Sequence, residues 1–190
     1  MDRRNFFSLA YPAAAALAVG LPGRFAIAQT TSLDLRNKPQ IVAAYTALVS
    51  VDTPQTFLLL TVKNMNILTL ATTGTGFASL PQLLRDDSEW FAAMKVVGVT
   101  VASNVTSRRV KMATVYYCGS RTSAAARAAY SQHRSEVSTI FVGAGAVLVL
   151  SDPSDLTMQS VARALQAAGT GHSPTYYEFS PSERVYANTL

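Results

Sequence analysis

Six runs of apolar and β-branched residues, separated by short turns, dominate the sequence between residues 41 and 150. The runs are rich in Val, Ile, Leu, Thr and Tyr, which fit a pleated, half-buried surface. Short connections favour hairpins between neighbouring strands. The pattern therefore predicts an α+β, β-rich fold on a mainly antiparallel sheet of about six strands. The predicted strands cover 41–51, 56–63, 66–71, 95–102, 108–118 and 137–150.

The fifth run shows the alternation expected of a strand that has one face in water. Successive side chains of a strand point to opposite faces of its sheet. Arg109 and Lys111 are therefore predicted to face solvent, and Val110 and Met112 to face the core. The sixth run differs because it contains two glycines, which predict a bulge or a bend.

Two or three helices are predicted beside the sheet. The C-terminal helix is the strongest, because Ser151 or Asp152 can cap it, Pro153 suits its first turn and an apolar stripe follows. Ser123 is a candidate cap for an alanine-rich helix, and 175–179 is predicted as an edge strand. The three helical segments are a short one that starts near Ser79 and reaches Phe91 at most, 122–134 and about 153–168.

Length and composition limit the classes of protein to which this chain can belong. Its 190 residues are the size of one domain with its own core. Charged residues make up 14% and apolar residues 49%, which excludes a highly charged, disordered chain. The net charge of +5 is mild and spread along the sequence, so nucleic acid is permitted as a ligand but not required.

The N-terminus has the layout of an export signal. Paired Arg3 and Arg4 precede a weakly apolar, alanine-rich run over 8–23, and a small-x-small motif from Ala26 to Ala28 follows. This segment resembles a twin-arginine export signal peptide. The resemblance implies cleavage after Ala28, recognition by the twin-arginine export machinery, and a periplasmic or secreted location in a bacterium.

An N-terminal arm that happens to carry two arginines is the alternative to a signal. A membrane anchor is disfavoured, because Asn5, Ser8 and two prolines interrupt a run that needs about 20 predominantly apolar residues. We expect no transmembrane span. The chain then divides into a candidate signal peptide (1–28), a linker or arm (29–40) and a single β-rich domain (41–190).

Few residues have the pattern of a catalytic or metal site. His133 and His172 have no second ligand at metal-binding spacing, and we expect both to be exposed to solvent. Cys118 is the single cysteine; we interpret it as a half-buried structural thiol, while a pair with a distant histidine stays open. The glycine pairs at 74–76 and 143–145 lack the rest of a nucleotide-binding fingerprint. No catalytic residue, metal or cofactor is predicted.

One acidic cluster lies beside the single tryptophan. Asp86, Asp87 and Glu89 next to Trp90 have the composition of an acid/base pair with an aromatic platform for a sugar. The same residues also fit the solvated end of a helix. We favour the solvated helix end, because it requires no further partner.

Basic residues concentrate on the fifth predicted strand, at Arg108, Arg109 and Lys111. Such a face can bind phosphate groups of nucleic acid or another anion. The alternation fits a simple solvated face equally well, so both interpretations stay open. The neighbouring helix region would add further cations if it packed alongside, namely Arg121, Arg127 and Arg134.

Two functional hypotheses follow. The favoured one is an exported, small, non-catalytic binding or assembly domain with an unknown ligand. The alternative rests on the order of elements over 56–170, a helix followed by a hairpin and a long apolar strand, which weakly resembles coat proteins of small RNA viruses and phages. That resemblance implies a self-assembling homo-oligomer in a virion that contacts RNA through Arg108, Arg109 and Lys111.

Overall fold

The structure, a computed structural model, describes residues 32–169 and 173–190. That part of the chain forms seven strands and four α-helices, so the predicted α+β class is confirmed. In chain order the elements are α1 (Lys38–Val49), β1 (Phe57–Lys63), β2 (Ile67–Gly74), α2 (Ser79–Leu83), β3 (Glu89–Ala102), β4 (Val105–Cys118), α3 (Ala124–Ser138), β5 (Ala146–Leu150), α4 (Met158–Ala168), β6 (Tyr176–Ser180) and β7 (Glu183–Tyr186).

β3 and β4 form the centre of one sheet, because they pair antiparallel along their full 14 residues. β1 pairs with the first half of β3 and β6 with its second half, and both lie along the edge of β3 opposite β4. β2 and β7 extend the sheet as hairpin partners, and β5 pairs parallel with β4. The sheet is mainly antiparallel, as predicted, with one parallel edge strand.

Helices cover both faces of this sheet. On one face, α1 and α3 enclose a core that includes Leu58, Leu60 and Phe91. On the other face, α2 and α4 enclose a core that includes Leu59 and Met94. β1 therefore buries consecutive residues rather than alternate ones. Burial on both faces explains why its sequence is continuously apolar.

The first predicted strand, 41–51, is wrong, because this segment is helix α1. Its buried residues Ile41, Tyr45 and Leu48 recur at intervals of four and three, which places them on one face of a helix. A proline in the first turn suits a helix start. α1 begins at Lys38, within the segment that we expected to be a linker or arm.

The sixth predicted strand, 137–150, is only partly a strand. Its first residues close α3, and β5 takes only the last five. The chain turns between them, where Gly143 has a φ of +83°, a backbone conformation that residues with side chains rarely adopt. Val137, Ile140 and Phe141 are apolar because they fill the core covered by α1 and α3, not because they extend a strand.

The helix predicted from Ser79 is short, and its possible extension to Phe91 is absent. α2 ends at Leu83, and β3 begins at Glu89. Phe91 belongs to the sheet, where its ring lies 5.9 Å from the ring of Tyr116 on β4. The preference of aromatic residues for strands outweighed the helical pattern here.

α4, the strongest predicted helix, starts later than predicted. Pro153–Asp155 form a separate 3-10 turn that Asp152 caps. The helix itself begins at Met158, after the cap Thr157, whose side chain accepts a hydrogen bond from the Ser160 N–H at 3.0 Å. The predicted apolar stripe does face the core.

A C-terminal hairpin completes the sheet. β6 confirms the strand predicted over 175–179, but it lies between β3 and β7 and is not an edge strand. The carboxylate of Glu183, at the start of β7, accepts hydrogen bonds from the backbone N–H groups of Phe77 at 2.9 Å and Ala78 at 3.4 Å. Glu183 thereby satisfies donors at the beginning of α2, which its own residues do not cap.

Gly119 provides a test of the packing between the end of β4 and the loop before β3. A Cβ there would lie 2.2 Å from the backbone oxygen of Asp86, so the backbone would have to move. We expect Gly119→Ala to lower the free energy of unfolding by about 2 kcal/mol, measured by urea denaturation. Gly145→Ala is the control, since its Cβ would meet only Met112 O at 3.8 Å; its effect should stay below about 1 kcal/mol. Equal effects of the two substitutions would contradict the close approach.

Candidate functional site

α3 presents a row of small side chains to solvent. Successive members lie three or four residues apart, so they share one face of the helix. The opposite face buries His133 and Val137 against the sheet. Small side chains leave the helix backbone close to the surface, where another protein can approach it closely. The row consists of Ala124, Ala128, Ser131, Ser135 and Ser138, all exposed.

The start of α3 is held by two sets of hydrogen bonds. Ser123 caps the helix, as predicted, since its hydroxyl accepts from the Ala126 N–H at 3.2 Å. The guanidinium of Arg127 donates to the backbone oxygens of Ser120 at 2.7 Å and Thr122 at 3.4 Å. Arg127 therefore braces the loop before the helix. An open depression of about 470 Å³ lies beside it.

A buried hydrogen-bonding contact joins α3 to the sheet. His133 Nδ1 lies 2.9 Å from Glu89 Oε2, and the two side chains are 0% and 3% exposed. The expectations of an exposed His133 and a solvated Glu89 are both wrong. His133 precedes Val137 by four residues, so the helical pattern could have placed it on the buried face. No sequence signal links it to Glu89, 44 residues away.

Around this contact lie further buried polar groups. The ring of Tyr130 stacks on Phe91 at 5.9 Å, and burial raises the pKa of its hydroxyl. That hydroxyl has no hydrogen-bond partner within residues 32–169 and 173–190. Cys118 is half-buried, in agreement with its interpretation as a structural thiol, and burial raises its pKa.

The acidic cluster is divided among separate partners. Asp86 accepts a hydrogen bond from the Tyr117 hydroxyl at 2.6 Å, and Asp87 forms an exposed ion pair with Arg85 at 3.0 Å. The indole of Trp90 donates to the backbone oxygen of Arg85 at 3.3 Å. The three carboxylates therefore have three different partners: Asp86 has Tyr117, Asp87 has Arg85 and Glu89 has His133.

The three strand cations lie on opposite faces of the sheet. Arg108 Nη2 lies 2.5 Å from Glu178 Oε1 on β6, and Arg184 on β7 approaches the other oxygen of that carboxylate at 3.4 Å. Arg109 and Lys111 point to the α4 side, because their positions alternate with that of Arg108. The three cations predicted as one cluster are therefore divided. Arg109 and Lys111 lie together on the α4 side, whereas Arg108 is bound to Glu178.

Arg109 and Lys111 line a cavity of about 170 Å³ next to Gly98. Gly98 provides room for the Lys111 stem, since a Cβ there would lie 3.0 Å from Lys111 Cε. Neither cation makes an ion pair or a side-chain hydrogen bond with any other described residue. The helix arginines do not join them: Arg127 and Arg134 belong to α3, on the other face of the sheet.

Metal and membrane sites are not apparent in the described chain. Residues 32–169 and 173–190 contain no cluster of three or more His, Cys, Asp and Glu side chains that would hold a metal ion. No helix within the same ranges is long and apolar enough to cross a membrane. His172 lies outside the described residues.

Glu89 provides a test of the buried pair beneath α3. The substitution removes a buried hydrogen bond between α3 and the sheet and leaves a cavity, so we expect Glu89→Ala to lower the free energy of unfolding by about 3 kcal/mol. Asp87→Ala is the control, because that carboxylate is 45% exposed and its ion pair lies at the surface. Its effect should stay within about 0.5 kcal/mol. Chemical denaturation measures both, and a Glu89 variant as stable as the control would contradict the role of the pair.

Comparison with known proteins shows which family and which solved structures this chain is similar to. Residues 34–166 match the family described as cofilin/tropomyosin-type actin-binding protein. No curated protein sequence matches the chain.

Solved structures that share the fold at low identity include the following three. Human coactosin-like protein has 20% identity and a TM-score of 0.61, covering 72% of this chain and 98% of its own. Mouse coactosin, an actin filament binding protein, has 20% and 0.59, covering 75% and 94%. Cofilin of Streptomyces griseoflavus has 13% and 0.55, covering 71% and 98%.

The family match corrects the predicted location. Actin is a cytoplasmic protein, so a match to actin-binding proteins contradicts the periplasmic, secreted and virion locations. The viral coat hypothesis, with its contact to RNA, is also wrong, because the matched family consists of actin-binding proteins. A non-catalytic binding domain, the coarser part of the functional prediction, agrees with the match. The residues behind the resemblance to an export signal lie outside the described ones, and that resemblance stays a prediction: Arg3, Arg4, Ala26 and Ala28.

Proposed function

Because the chain belongs to the cofilin/tropomyosin-type actin-binding protein family, we propose that it binds actin. The observation that carries the proposal is the extent of the match. Residues 34–166 include the first five strands, the first three helices and most of α4. Both cores of the domain are therefore built largely from the matched segment. The similarity to mouse coactosin, an actin filament binding protein, supports the same function.

The outward face of α3 is the surface that we assign to actin. A row of small residues, from Ala124 to Ser138, lets a partner approach the helix closely. A helix that lies in a groove of its partner is a common mode of recognition. The helix is also held rigidly, by the Ser123 cap at its start and by the Glu89–His133 pair beneath it. A rigid surface binds at lower entropic cost than a mobile one.

Arg109 and Lys111 form a second contact in this proposal. They carry two positive charges that no described residue neutralises, and they lie on the opposite face of the sheet from α3. Because they face away from α3, they would contact a part of the partner that the helix does not touch. Exposed interface charges accelerate association and make it depend on salt. The anion that these residues were predicted to contact is, in this proposal, a group of acidic side chains on actin.

The α3 surface is tested by one substitution and a matched control. Ala128→Glu places a charge in the middle of the small-residue row, and we expect it to weaken binding at least about tenfold, or 1.4 kcal/mol. Ala71→Glu makes the same change at an exposed position on β2, at the far edge of the sheet from both proposed contacts, and should bind as the unmodified chain does. Co-sedimentation with actin filaments and titration of fluorescent actin monomers measure both. Wild-type binding by the Ala128 variant would remove α3 from the interface, and no binding by the unmodified chain would overturn the proposed function.

The basic pair is tested by the salt dependence of binding. We expect the double variant Arg109→Ala/Lys111→Ala to bind actin about tenfold more weakly at low salt, with a smaller loss as salt is added. Arg108→Ala is the control, because Arg108 is bound to Glu178; it should lower stability and leave actin affinity unchanged. Affinities are measured by co-sedimentation over a series of KCl concentrations. Equal affinities of the double variant and the unmodified chain at low salt would exclude this second contact.

A further inference from the structure

β5 is an edge strand with an unusual exposed surface. It pairs only with β4, so its outer edge has no strand partner in the described part of the chain. Ala146 and Leu148 are buried on the α4 side. Val147 and Val149 point to the other face and remain 57% and 54% exposed. Unpaired backbone groups and an apolar row therefore occur together along this edge.

The sequence around β5 lacks the features that normally protect an edge. Charged side chains, prolines and bulges usually prevent one edge strand from pairing with another. No charged residue and no proline occurs between Val142 and Ser151, and Val142 itself is 74% exposed. The opposite edge of the sheet differs, because Asp34 forms a parallel bridge to Ile67 of β2. The outer edge of β5 is therefore open to another strand.

We propose that β5 pairs antiparallel with β5 of a second copy of this chain, so that the two sheets join at a twofold axis. Centred on Leu148, this register places Val147 of one copy opposite Val149 of the other, and the reverse pair beside it. Both exposed valines then face an exposed valine, and cross-strand β-branched pairs stabilise a sheet. A symmetric dimer requires such a self-complementary patch.

The chemistry of the edge favours a second copy over another partner. The stretch from Val142 to Ser151 carries no charge that would select an acidic or basic ligand. Its five-residue strand, AVLVL, matches itself in length and in its pattern of exposed residues. One strand pair and four valines bury less area than the roughly 1,200 Å² of a stable interface, so the dimer should be weak and reversible.

The register is tested by charge substitution of the full chain. We expect the Val147→Glu/Val149→Glu and Val147→Lys/Val149→Lys variants each to be monomeric, because like charges would lie opposite each other across the axis. An equimolar mixture should form the dimer again, since each Glu then faces a Lys. Val105→Glu, at an exposed valine on the far end of β4, should dimerise as the unmodified chain does. Sedimentation equilibrium over a series of concentrations measures the unmodified chain and these four samples.

Recovery of the dimer in the mixture separates loss of pairing from loss of folding, because a misfolded variant would not recover. A chain that is monomeric at every concentration would overturn the proposal, as would an acidic variant that still dimerises or a mixture that does not. The inference does not depend on actin binding. If the chain is monomeric and the acidic variant fails to bind actin, the valine row belongs to the actin-binding surface instead, and the dimer is excluded.

Discussion

The antiparallel pairing of β3 with β4 is the constraint on which every other element of this domain depends. Each of the two strands has 14 residues, and β1, β5 and β6 all attach to one of them. Because side chains of a strand alternate between faces, the β3–β4 hairpin contributes buried side chains to both cores. The helices on both faces pack against this hairpin, and their packing positions the two surfaces that we assign to actin.

Polar side chains, several of them buried, connect the outer elements to the β3–β4 hairpin and to one another. Glu89 holds α3 through His133, Glu178 holds the C-terminal hairpin through Arg108, and Glu183 satisfies backbone donors at the start of α2. Lys95 on β3 donates to the backbone oxygens of Ser50 and Thr53 and so fixes the loop after α1. Burial lowers the pKa of Lys95, while the charge of Asp52 opposes that shift. Hydrogen bonds have a preferred geometry, so these polar contacts make the arrangement of the packed elements more specific than apolar contacts alone would.

The candidate site was only partly predictable for reasons that particular residues illustrate. Local chemistry identified the Ser123 cap and the exposed position of Arg109, since both follow from spacing along one element. Lys111 is only half-exposed, because its stem lies against Gly98. Arg108 was grouped with them because it is their neighbour in sequence, but its partner Glu178 lies 70 residues away. His133 and Glu89 were interpreted as surface residues for a similar reason, because each makes its buried contact with the other across 44 residues of sequence.

The sequence by itself determined the class of fold, most of the strands and the approximate positions of α3 and α4, because hydrophobic periodicity and caps act over a few residues. It did not show that 41–51 is a helix or that 137–150 turns before β5, because apolar runs of this length fit either structure until their neighbours are known. Only the tertiary structure decided which charges are buried, which face of the sheet each basic residue occupies and which edge remains open. Those properties depend on contacts between segments that are distant in the chain, and local pattern carries no information about them.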